Sequence, residues 1–427
     1  MSDPGTNPDA LTPRQKLLLI YQAALAAVNG RDRVSEYLRQ HSVAGPVYAV
    51  AIGKAAGAMI LGAGDVLGPV LQAGLLITRY GHVPAQLAGR DDLTILESGH
   101  PVPDAGSLRA GRTLVEFLRA APAEAVFLFL ISGGASALVE VLADGRTLEE
   151  LQELNEWLLG SGQDIRTMNR FRNLFSAIKG GRLCRYLDGR RTQALYLSDV
   201  PDDDPAVIGS GLLSAADTEA LPVTVPDTAP RRLHSLLQQL VDGRVDIFPT
   251  GNPGLASQSV RHAIVASSAT AQRAAAEKGR ELGYRVVTHA ELLLDDIQIV
   301  AARILGELGP DQRALYVWGG EPAVVLPDSP GPGGRNQSLA LAVALGLTAG
   351  QTCSFLSAGT DGSDGNSLAA GAIVDGLTCQ CIRANRLDPV ECLETARAYT
   401  ALAACDCLVE TGPTGSNVMD LMLALRD

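Results

Sequence analysis

Apolar runs of strand length recur along this 427-residue chain, and most of them stop at a loop of small and polar residues that opens a helical stretch. Pro46–Ile52 runs into Gly53-Lys54, Ala125–Ile131 into Ser132-Gly-Gly-Ala-Ser136, and Thr192–Leu197 into Ser198-Asp199. Shorter runs at Ala73–Thr78 and Leu93–Leu96 fit the same scheme. Helical spacing marks Leu17–Asn29, Thr147–Ser161 and Ser107–Arg119, the last through Leu108, Leu114, Val115 and Leu118. Beyond Pro-rich stretches at 222–230 and 249–254 the alternation resumes, with strands at Ala263–Ala266, Tyr284–Thr288, Tyr316–Trp318 and Cys353–Ser357. Helices over Ala269–Leu282 and Gln337–Leu345 lie among them. Strands alternating with helices imply parallel βαβ units and an α/β fold with a doubly wound, mostly parallel sheet.

A chain this long exceeds the roughly 250–300 residues at which one core stops growing. Two α/β domains are expected, 1–250 and 251–427, with the last segment free to pack back on the first. The net charge of −12 gives no general attraction for nucleic acid or anionic lipid. No apolar run approaches the ~20 residues of a membrane span, and the first residues lack the pattern of a signal peptide. A cytoplasmic protein is expected. Its seven cysteines include two C-x-C units, Cys379/Cys381 and Cys405/Cys407. These do not have the usual zinc spacing, so buried, reduced thiols are expected.

Ligands of open α/β sheets bind beyond the carboxyl ends of the strands, so the loops there are the candidates for a site. Ser132–Ser136 has glycines that let the backbone approach an anion, N–H groups at a new helix, and Ser132 and Ser136 as hydroxyl donors. It is neither a nucleophile elbow, since Ser136 is flanked by alanines, nor a Walker A loop. An anion cradle formed by Ser132, Gly133, Gly134 and Ser136 and a close-packed turn of small residues both remain open.

Lys54 opens a helix, where the dipole disfavours a cation unless an anion answers it. Lys179, after a basic stretch with Arg166, Arg170 and Arg172, offers phosphate neutralisation or a solvated face. Gly333-Gly-Arg335-Asn336 closes a Pro/Gly-rich loop, with Arg335 suited to bidentate contact with a carboxylate or phosphate. Gly359-Thr-Asp-Gly-Ser-Asp-Gly-Asn366 carries Asp361 and Asp364 without the pattern of a Ca²⁺ loop. With Asp199 they are candidates to hold Mg²⁺ on a nucleotide, against the plainer reading as an Asx-turn loop. Cations, an anion loop and metal-holding carboxylates are the parts that phosphoryl transfer needs.

The ordered set Ser98-Gly-His-Pro-Val-Pro-Asp104, Ile131–Leu138, Ser176-Ala-Ile-Lys-Gly-Gly-Arg-Leu183, Ser198-Asp-Val200, Gly319-Gly-Glu321, Gly333–Asn336, Gly359–Gly365 and Thr411–Asn417 resembles the glycerate 2-kinases of the MOFRL type, over essentially the whole chain. The resemblance implies a Rossmann-like first domain and a smaller MOFRL α/β domain, with the site in the cleft between them. It implies ATP- and Mg²⁺-dependent phosphorylation of D-glycerate to 2-phosphoglycerate. Lys54 and Arg335 take the family's catalytic positions. Ser132, Gly133, Gly134, Ser136, Lys179, Glu321, Asn336 and Thr360 are expected to bind substrate or phosphate, and Asp199, Asp361 and Asp364 the metal. One of these carboxylates is expected to accept the 2-hydroxyl proton. D-glycerate and ATP are the expected partners, with a homodimer as the candidate assembly.

The chain departs from the family pattern in several places. Ala135 replaces a loop glycine, which costs freedom if a positive φ is needed there. Ser338 stands in place of an acid, Pro-Asp-Asp-Asp replaces a Gly-Asp after Val200, and Gly211-Leu-Leu-Ser214 replaces Gly-Pro-Thr. Two rival readings are a nicotinamide-dependent hydroxypyruvate reductase, which lacks its G-x-G-x-x-G loop, and a non-catalytic sugar-acid-binding protein.

Overall fold

The computed structural model describes residues 10–214, 224–241, 260–310, 312–327 and 329–427. These form two compact units: residues 30–265, and residues 1–29 with 266–427. The division differs from 1–250 and 251–427 at both ends: the first helix belongs with the C-terminal half, and the strand at 260–266 pairs into the first unit's sheet. The boundary expected near 250 lies outside the described residues.

The strands of the first unit are β1 (Val47–Ile52), β2 (Leu71–Arg79), β3 (Leu93–Ser98), β4 (Val126–Ile131), β5 (Thr192–Leu197) and β6 (Val260–Ala266). They form one sheet in the order β3-β2-β1-β4-β5-β6. The pairs from β3 across to β5 are all parallel. Every residue of β4 is buried, as a central parallel strand covered on both faces requires. Phe127, Phe129 and Ile131 from one face join Val50, Ile52, Leu75 and Ile77 in a single core. Helix Ala105–Ala120, capped by Asp104, contributes Leu114 and Leu118 to it.

The second unit has β7 (Arg285–Thr288), β8 (Ala314–Gly320), β9 (Cys353–Gly359), β10 (Gly371–Asp375), β11 (Leu408–Val409) and β12 (Asp420–Arg426). Their order is β11-β10-β9-β12-β8-β7. This sheet is mixed: β12 runs antiparallel to both β8 and β9, while β7 and β8 are parallel. Helix Pro13–Ala27 starts in a capping box of Thr12 and Gln15 with Pro13 at its first turn. Its Tyr21, fully buried, donates its hydroxyl to the Gly359 carbonyl at 2.6 Å. The N-terminal helix therefore braces the loop that leaves β9.

Cys381 and Cys405 are joined in a disulfide, which corrects the all-thiol expectation. Cys184, Cys353, Cys379, Cys392 and Cys407 are free and buried. No helix among the described residues is long and apolar enough to cross a membrane.

Candidate active site

In the first unit the chain winds outward from β1 through β2 to β3 and, on the other side, from β4 to β5. The loops after β1 and β4 thus lie side by side where the winding reverses, the place at which open α/β sheets bind ligands. They are stitched together. Lys54 N–H donates to the Gly133 carbonyl at 3.0 Å, Ser132 N–H to that of Ile52 at 3.0 Å, and Ala55 N–H to Ser132 Oγ at 3.0 Å. Ser132 is buried, so it brackets the two loops rather than facing outward.

Gly134 carries the loop's left-handed turn at φ 85°. A Cβ there would lie 2.9 Å from His100 Cδ2 and 3.4 Å from Lys54 Cγ. Glycine is therefore what lets the imidazole and the lysine stem close on the loop. Ala135 begins the following helical turn without a positive φ, and its methyl is buried in the core. The glycine-to-alanine departure costs no backbone strain here.

Ser136 is half-buried, and its hydroxyl lies 2.6 Å from that of Ser210. Asp199, at the end of β5, is half-buried too. Lys179 is a correction. It is buried, as is Glu140, and the two form an ion pair, so its ammonium faces inward and not toward a phosphate. Burial pushes Glu140 up and Lys179 down in pKa, while each partner's charge opposes the shift. Arg182 is likewise spent on the carbonyls of Asn173, Ser176 and Lys179.

In the second unit, helix Arg335–Gly346 carries Arg335 in its first turn. Asp420, at the start of β12 and buried, grips the guanidinium through Nε at 2.6 Å and Nη2 at 3.1 Å. Glu321, following β8, pairs with Nη1 at 2.8 Å. Burial acts to lower the guanidinium pKa, but the charges of Asp420 and Glu321 outweigh it and hold Arg335 cationic.

The helix start is held by Asp364, whose Oδ1 accepts from Asn336 N–H at 3.1 Å and Oδ2 from Gln337 N–H at 2.9 Å. A Cβ at Gly334 would strike the Asp364 carboxylate at 2.3 Å, so that glycine admits the cap. Both Asp364 oxygens accept from the backbone, which gives this residue a scaffold role at the helix start. Burial raises its pKa to about 6, against the backbone N–H bonds that lower it.

Asn336 and Thr360 also have partners inside the fold. The buried Asn336 carboxamide accepts from Ser357 Oγ at 2.7 Å. Thr360 donates to the Met419 carbonyl at 2.7 Å and accepts from Val418 N–H at 2.8 Å. Asp361 closes an Asx turn on Ser363 N–H at 2.9 Å, the plainer of its two readings. Among the described residues no three His, Cys, Asp or Glu side chains cluster as a metal cage.

The sequence motifs do not point to Asp420 or Tyr21, and give no role to His100 or Ser210. Asp420 had a visible signal, as a lone acid in the apolar run Val418–Leu425.

Residues 16–225 match the model of a domain of unknown function, DUF4147, and residues 314–420 that of the MOFRL family. A D-glycerate 2-kinase of Thermotoga maritima is 35% identical over 399 residues, covering 89% of this chain and 90% of that protein. A putative hydroxypyruvate reductase of Agrobacterium vitis is 35% identical over 389 residues, covering 88% and 98%. The crystal structure of a glycerate kinase from Thermotoga maritima superposes with a TM-score of 0.78 at 31% identity, covering 97% of this chain and 99% of that one. With two family models in order and relatives matched along nearly their full length, the chain belongs to the MOFRL-type glycerate 2-kinase family.

Proposed function

We propose that this protein phosphorylates D-glycerate at its 2-hydroxyl, with ATP as donor and Mg²⁺ as cofactor, to give 2-phosphoglycerate. The observation that carries the reading is Lys54 set against Gly134 and the Ser132–Ser136 loop at the reversal point of a parallel sheet. A lysine beside backbone N–H groups at such a turn neutralises phosphate charge. Arg335, kept cationic and in a fixed orientation by Asp420, presents its charge to a phosphoryl group or to the glycerate carboxylate. Charge neutralisation and positioning are most of what phosphoryl transfer asks of a protein.

The carboxylates fit Mg²⁺ only as a metal shared with phosphate oxygens, since no protein cage is present among the described residues. Asp199 in the first unit or Asp361 in the second would hold it. When bound it would offset charge on the donor phosphates. The same two carboxylates are the candidates to take the 2-hydroxyl proton.

The reductase reading draws on the strand order, which is that of dinucleotide-binding folds. The turn after β1 argues against it. That turn reads Gly53-Lys-Ala-Ala-Gly57 and lacks the glycine fingerprint for a pyrophosphate. Incubation with D-glycerate, ATP and Mg²⁺, followed by ³¹P NMR, is expected to show 2-phosphoglycerate. NADH consumption with hydroxypyruvate, or no product in either assay, would overturn the proposal.

A further inference from the structure

The hydroxyl of Ser136 sits at the end of a hydrogen-bonded chain whose direction can be worked out atom by atom. Asn169 Nδ2 donates to the Val207 carbonyl at 3.0 Å, which orients the carboxamide and leaves Oδ1 as a pure acceptor. Ser210 Oγ donates to that Oδ1 at 2.8 Å, and Arg172 Nη1 approaches the same oxygen at 3.4 Å. A serine has one hydroxyl hydrogen, and that of Ser210 is spent on Asn169. The 2.6 Å contact between Ser136 and Ser210 is then made by the Ser136 hydrogen. What Ser136 has left is its oxygen lone pairs.

The arrangement is held firmly. Asn169 and Ser210 are buried, and Ser136 alone of the three is half-open. Ser210 has φ 59°, between Gly209 at 59° and Gly211 at 69°, a left-handed run unusual for a residue with a side chain. Ser210 N–H bonds to Val207, and its carbonyl accepts from Gly180 N–H at 3.0 Å. The next carbonyl, Gly211, accepts from Gly181 N–H at 2.6 Å. The strained residue is thus pinned with its hydroxyl on Ser136.

Phosphate and carboxylate oxygens only accept hydrogen bonds at neutral pH, so an acceptor oxygen on Ser136 does not suit them. A hydroxyl of the alcohol substrate suits it. The reacting hydroxyl has to give its proton to a base, and a neutral serine oxygen is too weak a base for that. Resting on the function proposed above, we infer that Ser136 recognises the spectator 3-hydroxyl of D-glycerate, accepting its hydrogen bond, and that Ser210 and Asn169 are positioning residues that impose this polarity.

The test compares D-glycerate with D-lactate, which lacks the 3-hydroxyl. Calorimetric affinities are measured for the wild-type protein, Ser136→Ala and Ser210→Ala, alongside KM for ATP and half-activation by Mg²⁺. The wild type is expected to prefer D-glycerate by about tenfold, one well-made hydrogen bond. Ser136→Ala is expected to bring the two ligands level with KM for ATP unchanged, and Ser210→Ala to shrink the preference. A merely structural role for Ser210 would weaken both ligands equally. A preserved preference in Ser136→Ala, a raised KM for ATP, or a shifted Mg²⁺ requirement would each overturn the inference while leaving the kinase reading in place. A wild-type protein that neither binds D-glycerate nor forms 2-phosphoglycerate would overturn both.

Discussion

Asp420 holds the guanidinium of Arg335 from its Nε edge, with Nε–Oδ2 at 2.6 Å and Nη2–Oδ1 at 3.1 Å. The aspartate is buried and cannot follow a moving partner, so it sets the direction in which the arginine presents its charge. Asp420→Asn keeps the shape but removes the counter-charge and puts an N–H donor opposite another donor. Turnover is expected to fall about 10²-fold, the usual cost of misplacing a charged group by an ångström or so. The stability cost is expected to be about 2 kcal/mol, below the ~3–5 kcal/mol of a fully buried pair, because the Arg335 side chain is 34% exposed. Steady-state kinetics and urea denaturation check both figures. Unchanged turnover would mean that Arg335 needs no orientation.

Lys54 follows Gly53, and its backbone N–H, with those of Ser132 and Ala55, binds the two loops together. The lysine side chain is not needed for that stitching. Lys54→Ala is therefore expected to lower turnover by about 10²–10³-fold, as loss of a charge-stabilising donor does. The variant is expected to stay folded, as checked by circular dichroism and urea denaturation. Near-normal turnover in this variant would remove Lys54 from the chemistry.

What was legible in the sequence follows the range of the forces involved. β4 could be read because a fully buried parallel strand is a continuous apolar run, and its loop because small residues mark a close approach. Strands β1 to β5 are each visible as apolar runs, whereas β6 is visible as a strand but joins the first unit's sheet and not the second domain. β12 is not visible. Leu421-Met-Leu-Ala-Leu425 is built of good helix formers, and it becomes a central strand only because β8 and β9 pair with it from both sides. The placement of helix Pro13–Ala27 with the distant C-terminal half depends on contacts such as Tyr21 to Gly359, which no local pattern announces. The same holds for polar side chains in loops. Asn336, Thr360, Asp364 and Lys179 have the residue types of ligand-binding groups, and sequence alone does not show that their hydrogen bonds are already spent inside the fold.

The Lys179–Glu140 pair makes that distinction measurable. If Lys179 is structural, replacing it with Met strands a buried carboxylate and costs about 3–5 kcal/mol. The double variant Lys179→Met with Glu140→Gln removes both charges and is expected to recover part of that loss. Activity per folded molecule and KM for ATP are expected to stay close to wild type in the double variant. A large rise in KM for ATP there would return Lys179 to the phosphate site.

Asp364 gives the fold a pH dependence with a definite sign. Burial raises its pKa to about 6, the nearby Asp420 carboxylate adds to the rise, and the N–H groups of Gln337 and Asn336 oppose it. An unfolded aspartate titrates near 3.9. Between those values the folded protein binds more protons than the unfolded chain, so this residue's contribution is full below about pH 4 and is lost as pH rises toward 6. In Asp364→Asn the contribution vanishes. The difference in unfolding free energy between wild type and Asp364→Asn, taken by urea titration from pH 4 to 7, is therefore expected to move against the wild type as pH rises and to level off above 6. Taking the difference cancels the titration of groups that do not interact with Asp364. A flat difference would mean that the helix N–H groups outweigh burial and that Asp364 stays ionised throughout.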